Sequence, residues 1–214
     1  MRIVEPTFEI ISMPDPEEVL SVIEQAGRTC YKSEDKIREG SAGEFIRRIL
    51  RSGHESVIEH GSCTVRFICD RGVSHELVRH RLAAYSQEST RYANYAKERF
   101  GSEISVVRPS FWSEDSREFA LWREAMEQCE KAYMELLSLG ATPQQARSVL
   151  PNSLKTEVVM TANFREWRHV FKLRCSKAAH PQIREVMLPL LEEMNKRFPP
   201  LFEDVYEEVI LGSR

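Results

Sequence analysis

Along the N-terminal part of the chain, apolar positions alternate between strand-like and helix-like spacing. Residues 2–13 read as strand, and Pro14-Asp15-Pro16 stops it and opens a helix from 16 to about 27. A second helix over 42–52 ends at Gly53. Cys63-Thr64-Val65-Arg66-Phe67-Ile68-Cys69 alternates with the period of two expected of a half-buried strand. Val73, Leu77, Leu82 and Ala84 stand among His75, Glu76, Arg79 and His80, which predicts a helix from 73 to about 84 with a cationic face. Residues 85–92 then lose the helical period without any Gly or Pro, the mark of an ordered, hydroxyl-rich loop.

Farther on, residues 104–107 suit a short strand, and 113 to about 140 a long helix that buries Phe119, Leu121, Met126, Tyr133, Leu136 and Leu137. Pro143 opens a shorter helix through Leu150, and residues 156–162 are β-prone. From Phe164 to Cys175 the apolar Trp167, Val170, Phe171 and Leu173 interleave with Arg165, Arg168, His169, Lys172 and Arg174 at helical spacing, giving one packed and one cationic face. Asn163 is placed to cap that helix, so an approaching ligand meets free amides and the positive end of the helix dipole. Helices over 181–197 and 200–209, parted by Pro199-Pro200, finish the chain.

A few dispersed strands among many helices lack the strict alternation of a doubly wound sheet, so the fold class is α+β, and no GxGxxG or P-loop is present. The 214 residues, 42% hydrophobic and 29% charged, suit a single domain, 1–214, able to bury a sizeable core. A net charge of −3 excludes a nucleic-acid-coating protein, so the arginine clusters are site-directed and no nucleic-acid partner is expected. Five cysteines without a CxxC pair read as reduced thiols. The acidic N-terminus and the lack of a long apolar run predict neither signal peptide nor membrane anchor, and hence a cytoplasmic protein.

The densest chemistry lies in Arg79-His80-Arg81-Leu82-Ala83-Ala84-Tyr85-Ser86-Gln87-Glu88-Ser89-Thr90-Arg91-Tyr92. Arg79, Arg81 and Arg91 supply planar forks suited to bidentate phosphate contact, and Ser89 and Thr90 add neutral donors. Three basic residues alone are more often a solvated helix face; the hydroxyl-rich loop beside them favours an anion site.

This run resembles the signature of the flavin-dependent thymidylate synthases, RHR followed seven residues later by Ser, which Arg79, His80, Arg81 and Ser89 match in full, with Arg91 and Tyr92 continuing the longer form. Where that family commonly has Asn-Glu, this chain has Ser86-Gln87, which removes one carboxylate and leaves Glu88 as its substitute. Upstream, Gly53-His54-Glu55-Ser56 is similar to the family's Gly-His-Glu-Ser/Thr segment. Downstream, Ala146-Arg147-Ser148, then Thr161-Ala162-Asn163-Phe164-Arg165 and Leu173-Arg174, resemble its C-terminal half, with His169 where Asn is usual. The order is preserved over roughly residues 20–185.

The resemblance implies a non-Rossmann fold with a mixed sheet, a homotetramer whose active sites form where subunits meet, and conversion of dUMP to dTMP with methylenetetrahydrofolate as one-carbon donor and NADPH passing electrons through FAD. It implies that Ser56, Arg79, His80, Arg81, Gln87, Asn163, Arg165 and His169 hold FAD. It also implies that Glu76, Arg79, Gln87, Glu88, Ser89, Thr90, Arg91, Arg147 and Arg174 hold the nucleotide. Arg174 would stabilise charge on the uracil ring, His54 would stand near the reacting centre, and Ser89 has the position of a nucleophile but no base paired with it in sequence, so substrate binding is its first role. Three other readings stand beside this one, and the Ser86-Gln87 departure keeps one of them open, a flavoprotein of this fold that has lost methyl transfer. HESVIEH places His54 and His60 six residues apart, off a common helical face, which predicts no metal site. A nucleic-acid module built on Arg79, Arg81, Arg91, Arg147, Arg165, Arg168 and Arg174 lacks the interleaved aromatic platform such modules use.

Overall fold

A computed structural model describes residues 1–212, the side chain of Arg99 excepted. It contains strands β1 (Arg2–Val4), β2 (Thr7–Ser12), β3 (Ser62–Asp70), β4 (Ala84–Gln87), β5 (Ser105–Val107) and β6 (Lys155–Asn163). The helices are α1 (Pro16–Tyr31), α2 (Ser41–Arg51), α3 (Arg71–Leu77), α4 (Arg117–Ser138), α5 (Pro143–Ala146), α6 (Phe164–Arg174), α7 (Pro181–Arg197) and α8 (Pro199–Ile210). The α+β expectation holds. β1 pairs in parallel with β5, and a four-stranded sheet has the order β2-β3-β6-β4.

The chain gathers into two compact units, one of Met1–Thr7, Phe67–Arg79 and Tyr85–Val159, the other of Phe8–Arg66, His80–Ala84 and Met160–Arg214. The first is built on α4, whose Phe119, Trp122, Met126 and Tyr133 are buried with Ile104, Val106 and Leu154. The second packs α6 against α7 and α8, and α1 against α2.

Several boundaries differ from the sequence reading, each for a local reason. The single strand expected over 2–13 is two, split at Glu5-Pro6, where proline has no N–H to give a ladder. Helix α1 runs on through Gly27 to Tyr31, because that glycine serves packing: a Cβ there would sit 2.6 Å from the Phe45 ring of α2. The helix expected from 73 to 84 ends at Leu77; the Tyr85 hydroxyl donates to the Leu77 carbonyl at 2.7 Å, and Leu82, 78% exposed, never joins an apolar stripe. Residues 84–87, expected as the helix end at Ala84 and loop from Tyr85, form β4. In α4 the buried stripe passes through Trp122 and leaves Leu121 exposed, and the helix starts only at Arg117, where Ser116 Oγ accepts from the Phe119 amide at 3.1 Å.

The β6–α6 junction orients the polar face of α6. Thr64 of β3 and Thr161 of β6 share a hydroxyl hydrogen bond of 2.8 Å, and Asn163 caps α6 by accepting from the Glu166 amide at 2.9 Å, as the sequence suggested. Phe164, Trp167, Val170 and Phe171 are buried, and Trp167 Nε1 donates to the Cys63 carbonyl at 3.2 Å. Arg168, expected on a cationic face, is instead 3% exposed; its guanidinium makes paired bonds of 2.6 and 2.7 Å to Asp204 of α8. Its planar fork suits that carboxylate as a structural clamp.

Gly61 is the tightest point of this packing, since a Cβ there would lie 2.5 Å from Phe164 and 2.6 Å from Val19. Replacing it with alanine should lower unfolding free energy by roughly 1–3 kcal/mol through overpacking, measured by urea denaturation. An unchanged midpoint would show that Phe164 has room to move.

Candidate active site

In the second unit, α6 lines a cavity of about 590 Å³ with Arg165, Glu166, Arg168, His169 and Lys172, with Asn163 at its start and Leu82 at its edge. Arg165 and Glu55 also border a second cavity of about 330 Å³ that contains Tyr31, His54 and Ser56. Thus Ser56, Asn163, Arg165 and His169, all expected to hold flavin, line two cavities that share a wall. His54 is exposed and bonded at Nδ1 to the Tyr31 hydroxyl at 2.8 Å, with the two rings stacked 6.2 Å apart. Tyr31 was missed in the sequence because nothing in its local pattern marks it. Arg165 is held at 2.6 Å by Glu59, so an anion arriving here must compete with a carboxylate.

His80 stands apart from the other expected cofactor residues. It is 4% exposed and borders neither cavity. Its Nε2 accepts from Arg174 Nε at 3.0 Å, and its Nδ1 lies 3.4 Å from Glu166 Oε1. The His169 ring meets it edge-on at 5.6 Å. Burial, with smaller contributions from the Arg174 and His169 charges, lowers its pKa from 6.5 to about 4. The imidazole is therefore neutral near pH 7, and the contact with Glu166 is no ion pair: with Nε2 accepting, the proton sits on Nδ1, the nitrogen 3.4 Å from the carboxylate oxygen. Burial raises the Glu166 carboxyl above its usual range, a rise opposed by His169 and Arg165. Arg81 is exposed on the same unit.

The first unit holds the other expected nucleotide residues. Arg91 Nε donates to Gln144 of α5 at 3.0 Å, three residues before Arg147, itself exposed. Arg79 is exposed, and Glu76 is half-buried on α3. Ser89 Oγ accepts from the Arg91 amide at 3.3 Å and opens the turn that buries Thr90. Gln87 spends its amide nitrogen on Ser74 Oγ at 2.9 Å and Thr156 Oγ1 at 3.2 Å. What remains for a ligand is its carbonyl. Glu88 accepts from Lys155 and from the Tyr95 hydroxyl, both at 3.1 Å, and burial together with Glu88 pushes the Tyr95 phenol well above its ordinary range. Lys155 and Tyr95 anchor this carboxylate, and neither could be picked out from sequence spacing.

Over residues 10–200 the chain matches the family described as Thymidylate synthase complementing protein. Relatives named Flavin-dependent thymidylate synthase include one from Geobacter sulfurreducens, 34% identical over 93% of this chain and 86% of the relative. Another from Pyrococcus furiosus is 36% identical over 83% of this chain and 72% of the relative. A third, from Corynebacterium glutamicum, is 34% identical over 96% and 87%. Among solved structures, the UMP/dUMP methylase PolB from Streptomyces cacaoi, bound with 5-Br dUMP, superposes with a TM-score of 0.77 at 24% identity, covering 95% of this chain and 96% of that one; at this identity the likeness is one of fold.

The buried neutral histidine has a measurable consequence. Its folded pKa is depressed, so between about pH 6.5 and pH 4 the unfolded chain gains a proton that the folded chain refuses, and stability is lost as pH falls through that window. The loss from His80 alone should approach about 3 kcal/mol at the acid end. Urea denaturation from pH 7 to pH 4 should show a shallower decline in His80→Gln than in the wild type; parallel profiles would contradict a neutral buried ring.

Proposed function

The chain belongs to the thymidylate synthase complementing protein family, and we propose that it converts dUMP to dTMP with FAD as redox cofactor, methylenetetrahydrofolate as one-carbon donor and NADPH as reductant. The flavin follows from the shared name of the curated relatives, and the nucleotide is supported by the 5-Br dUMP bound to the solved neighbour. The observation that carries the reading is α6, which turns Asn163, Arg165 and His169 toward one cavity while Arg174 at its end is held by His80.

The donor set fits a flavin dinucleotide. A volume of about 590 Å³ lies in the range of roughly 300–1,000 Å³ usual for small-molecule sites. Arg165 and Lys172 offer cations to phosphates, Asn163 and His169 offer hydrogen bonds to ring or ribose edges, and Ser56 borders the adjoining cavity with His54. FAD, when bound, supplies the redox chemistry; the protein supplies position and charge. Arg79 and Arg81 add cations from the RHR run, Arg79 also reaching the nucleotide. Glu76, Arg91, Arg147, Ser89 and Thr90 hold the nucleotide's phosphate and sugar, with the Gln87 carbonyl and Glu88 completing that set. Ser89 binds and does not attack, because its hydroxyl accepts from an amide and no described residue serves it as a base. Arg174 sets a fixed cation against the uracil carbonyls, where negative charge grows as the ring becomes nucleophilic. His54, held by Tyr31, orients flavin or folate.

The enzyme acts in the cytoplasm as a homotetramer whose sites are completed by neighbouring subunits; Leu82 at 78% and Tyr92 at 75% exposure are apolar side chains suited to burial there. Among the described residues no helix is long and apolar enough to cross a membrane.

A turnover assay with dUMP, methylenetetrahydrofolate, NADPH and FAD should give dTMP, and omission of any one should abolish it. Arg174→Ala should keep bound flavin and lower kcat on the order of 100-fold or more, the scale of losing one preorganised charge-stabilising donor. Unchanged turnover in that variant, or product formed without flavin, would refute the reading.

A further inference from the structure

We infer that Glu166 is a positioning residue for the nucleotide: through the buried His80 ring it sets the tautomer that holds the Arg174 guanidinium in place. The inference rests on the proposed role of Arg174 at the nucleotide. It gives His80 a part other than the one the RHR run implied, since Nε2 is bonded to Arg174, Nδ1 lies 3.4 Å from Glu166, and the ring borders neither cavity.

The physical argument concerns a single proton. Arg174 Nε always carries hydrogen, so His80 Nε2 must offer a lone pair across their 3.0 Å separation. A neutral imidazole does so only when its hydrogen is on Nδ1. Glu166 Oε1, 3.4 Å from Nδ1 on a side chain 7% exposed, is an acceptor in a water-poor setting and favours that form. With an apolar residue at 166 the proton is free to move to Nε2, where it faces the Arg174 N–H as donor against donor. The bond from Arg174 Nε to His80 is then lost, and with it the orientation this contact gives to the charge meant for the pyrimidine. Glu166 also borders the α6 cavity, so the chain Glu166-His80-Arg174 links the proposed flavin wall to the proposed nucleotide contact.

The same neighbourhood invites another interpretation, since ligand atoms of His80, Glu166 and His169 lie within 4.8 Å of one another, as they would around a divalent cation. A cation bound at Nδ1 requires hydrogen on Nε2 and so sets two donors facing each other at Arg174. It also adds positive charge beside a guanidinium. The relay satisfies every group that the cation would frustrate.

The test compares flavin-loaded wild type with Glu166→Gln and Glu166→Leu. The dissociation constant for dUMP is read from the flavin absorbance change on adding nucleotide, and flavin content and melting temperature are taken on the same samples. Gln keeps an acceptor and should bind dUMP within about twofold of wild type, whereas Leu should weaken it on the order of tenfold with flavin content retained, the scale of a lost hydrogen bond to a charged group. In a His80→Gln background, which keeps an acceptor for Arg174 but cuts the link to Glu166, the Leu substitution should add less than about twofold. Wild-type affinity in Glu166→Leu, failure of Gln to rescue, or an equal loss in both backgrounds would overturn the inference. Should the Leu variant not fold, Glu166→Asp, which withdraws the carboxylate by one methylene, replaces it: the same weakening is expected, and wild-type affinity in that variant overturns the inference. Tight zinc binding by the wild type that disappears in Glu166→Gln would also overturn it, in favour of a metal centre. A wild type that holds flavin but never binds dUMP would instead strike the functional reading itself.

Discussion

The rotation of α6 about its own axis is the constraint on which the rest depends. Phe164 is pressed into the space left by Gly61, the Trp167 indole is tied to the Cys63 carbonyl, and Arg168 is clamped to Asp204 of α8. Phe164 and Trp167 fix the packed face, Arg168, which also borders the cavity, ties its edge to α8, and because residues three and four apart share a face, the opposite face is fixed too. Arg165, Glu166 and His169 are thereby turned to the cavity, and Arg174 is delivered at the helix end to His80. A hydrophobic and ionic clamp on one side of a short helix thus decides the chemistry available on the other.

Arginine is used here in two opposed ways. Arg168 is buried and answered by Asp204, whose carboxyl burial would raise but which the Arg168 hydrogen bond and charge hold below its ordinary value. Removing one member of such a pair strands the other, so it stabilises without being available to a ligand. Arg174 meets a neutral imidazole at its Nε, so that contact orients the guanidinium without cancelling its charge. A carboxylate in the place of His80 would have neutralised the cation. With the acid one step back, near the far nitrogen of the histidine, this contact sets geometry and brings no opposite charge to the guanidinium.

Much of this could be read in the residues alone, and the exceptions share a cause. The cap at Asn163, the amphipathic α6, the alternating β3 and the proline starts of α1, α5 and α7 rest on local pattern and appear where the pattern puts them, although α1 ends four residues later and α5 four residues earlier than expected. Gly27 reads as punctuation but serves as space, as does Gly61, because the partner rings that need the space come from distant segments. Helix α3 stops early because a tyrosine eight residues on claims its last carbonyl. Arg168 looked like one more surface cation for want of any sign that α8 would return with an acid. Among the candidate site residues, the motif run identified chemistry by type but could not assign partners. That Gln87 spends its amide on Ser74 and Thr156, that Glu88 is held by Lys155 and Tyr95, and that His80 faces inward are facts of tertiary packing with no period in the sequence.

A crystal structure of the oligomer with FAD and a dUMP analogue bound is the most direct measurement of the central claim, that α6 presents one face to flavin and its end to the pyrimidine. The account predicts flavin against Asn163, Arg165 and His169, the Arg174 guanidinium on the pyrimidine carbonyls, and His80 still buried between Glu166 and Arg174 with neither ring nitrogen on a ligand. Flavin bound away from α6, or a His80 nitrogen bonded directly to it with Arg174 turned from the nucleotide, would contradict it.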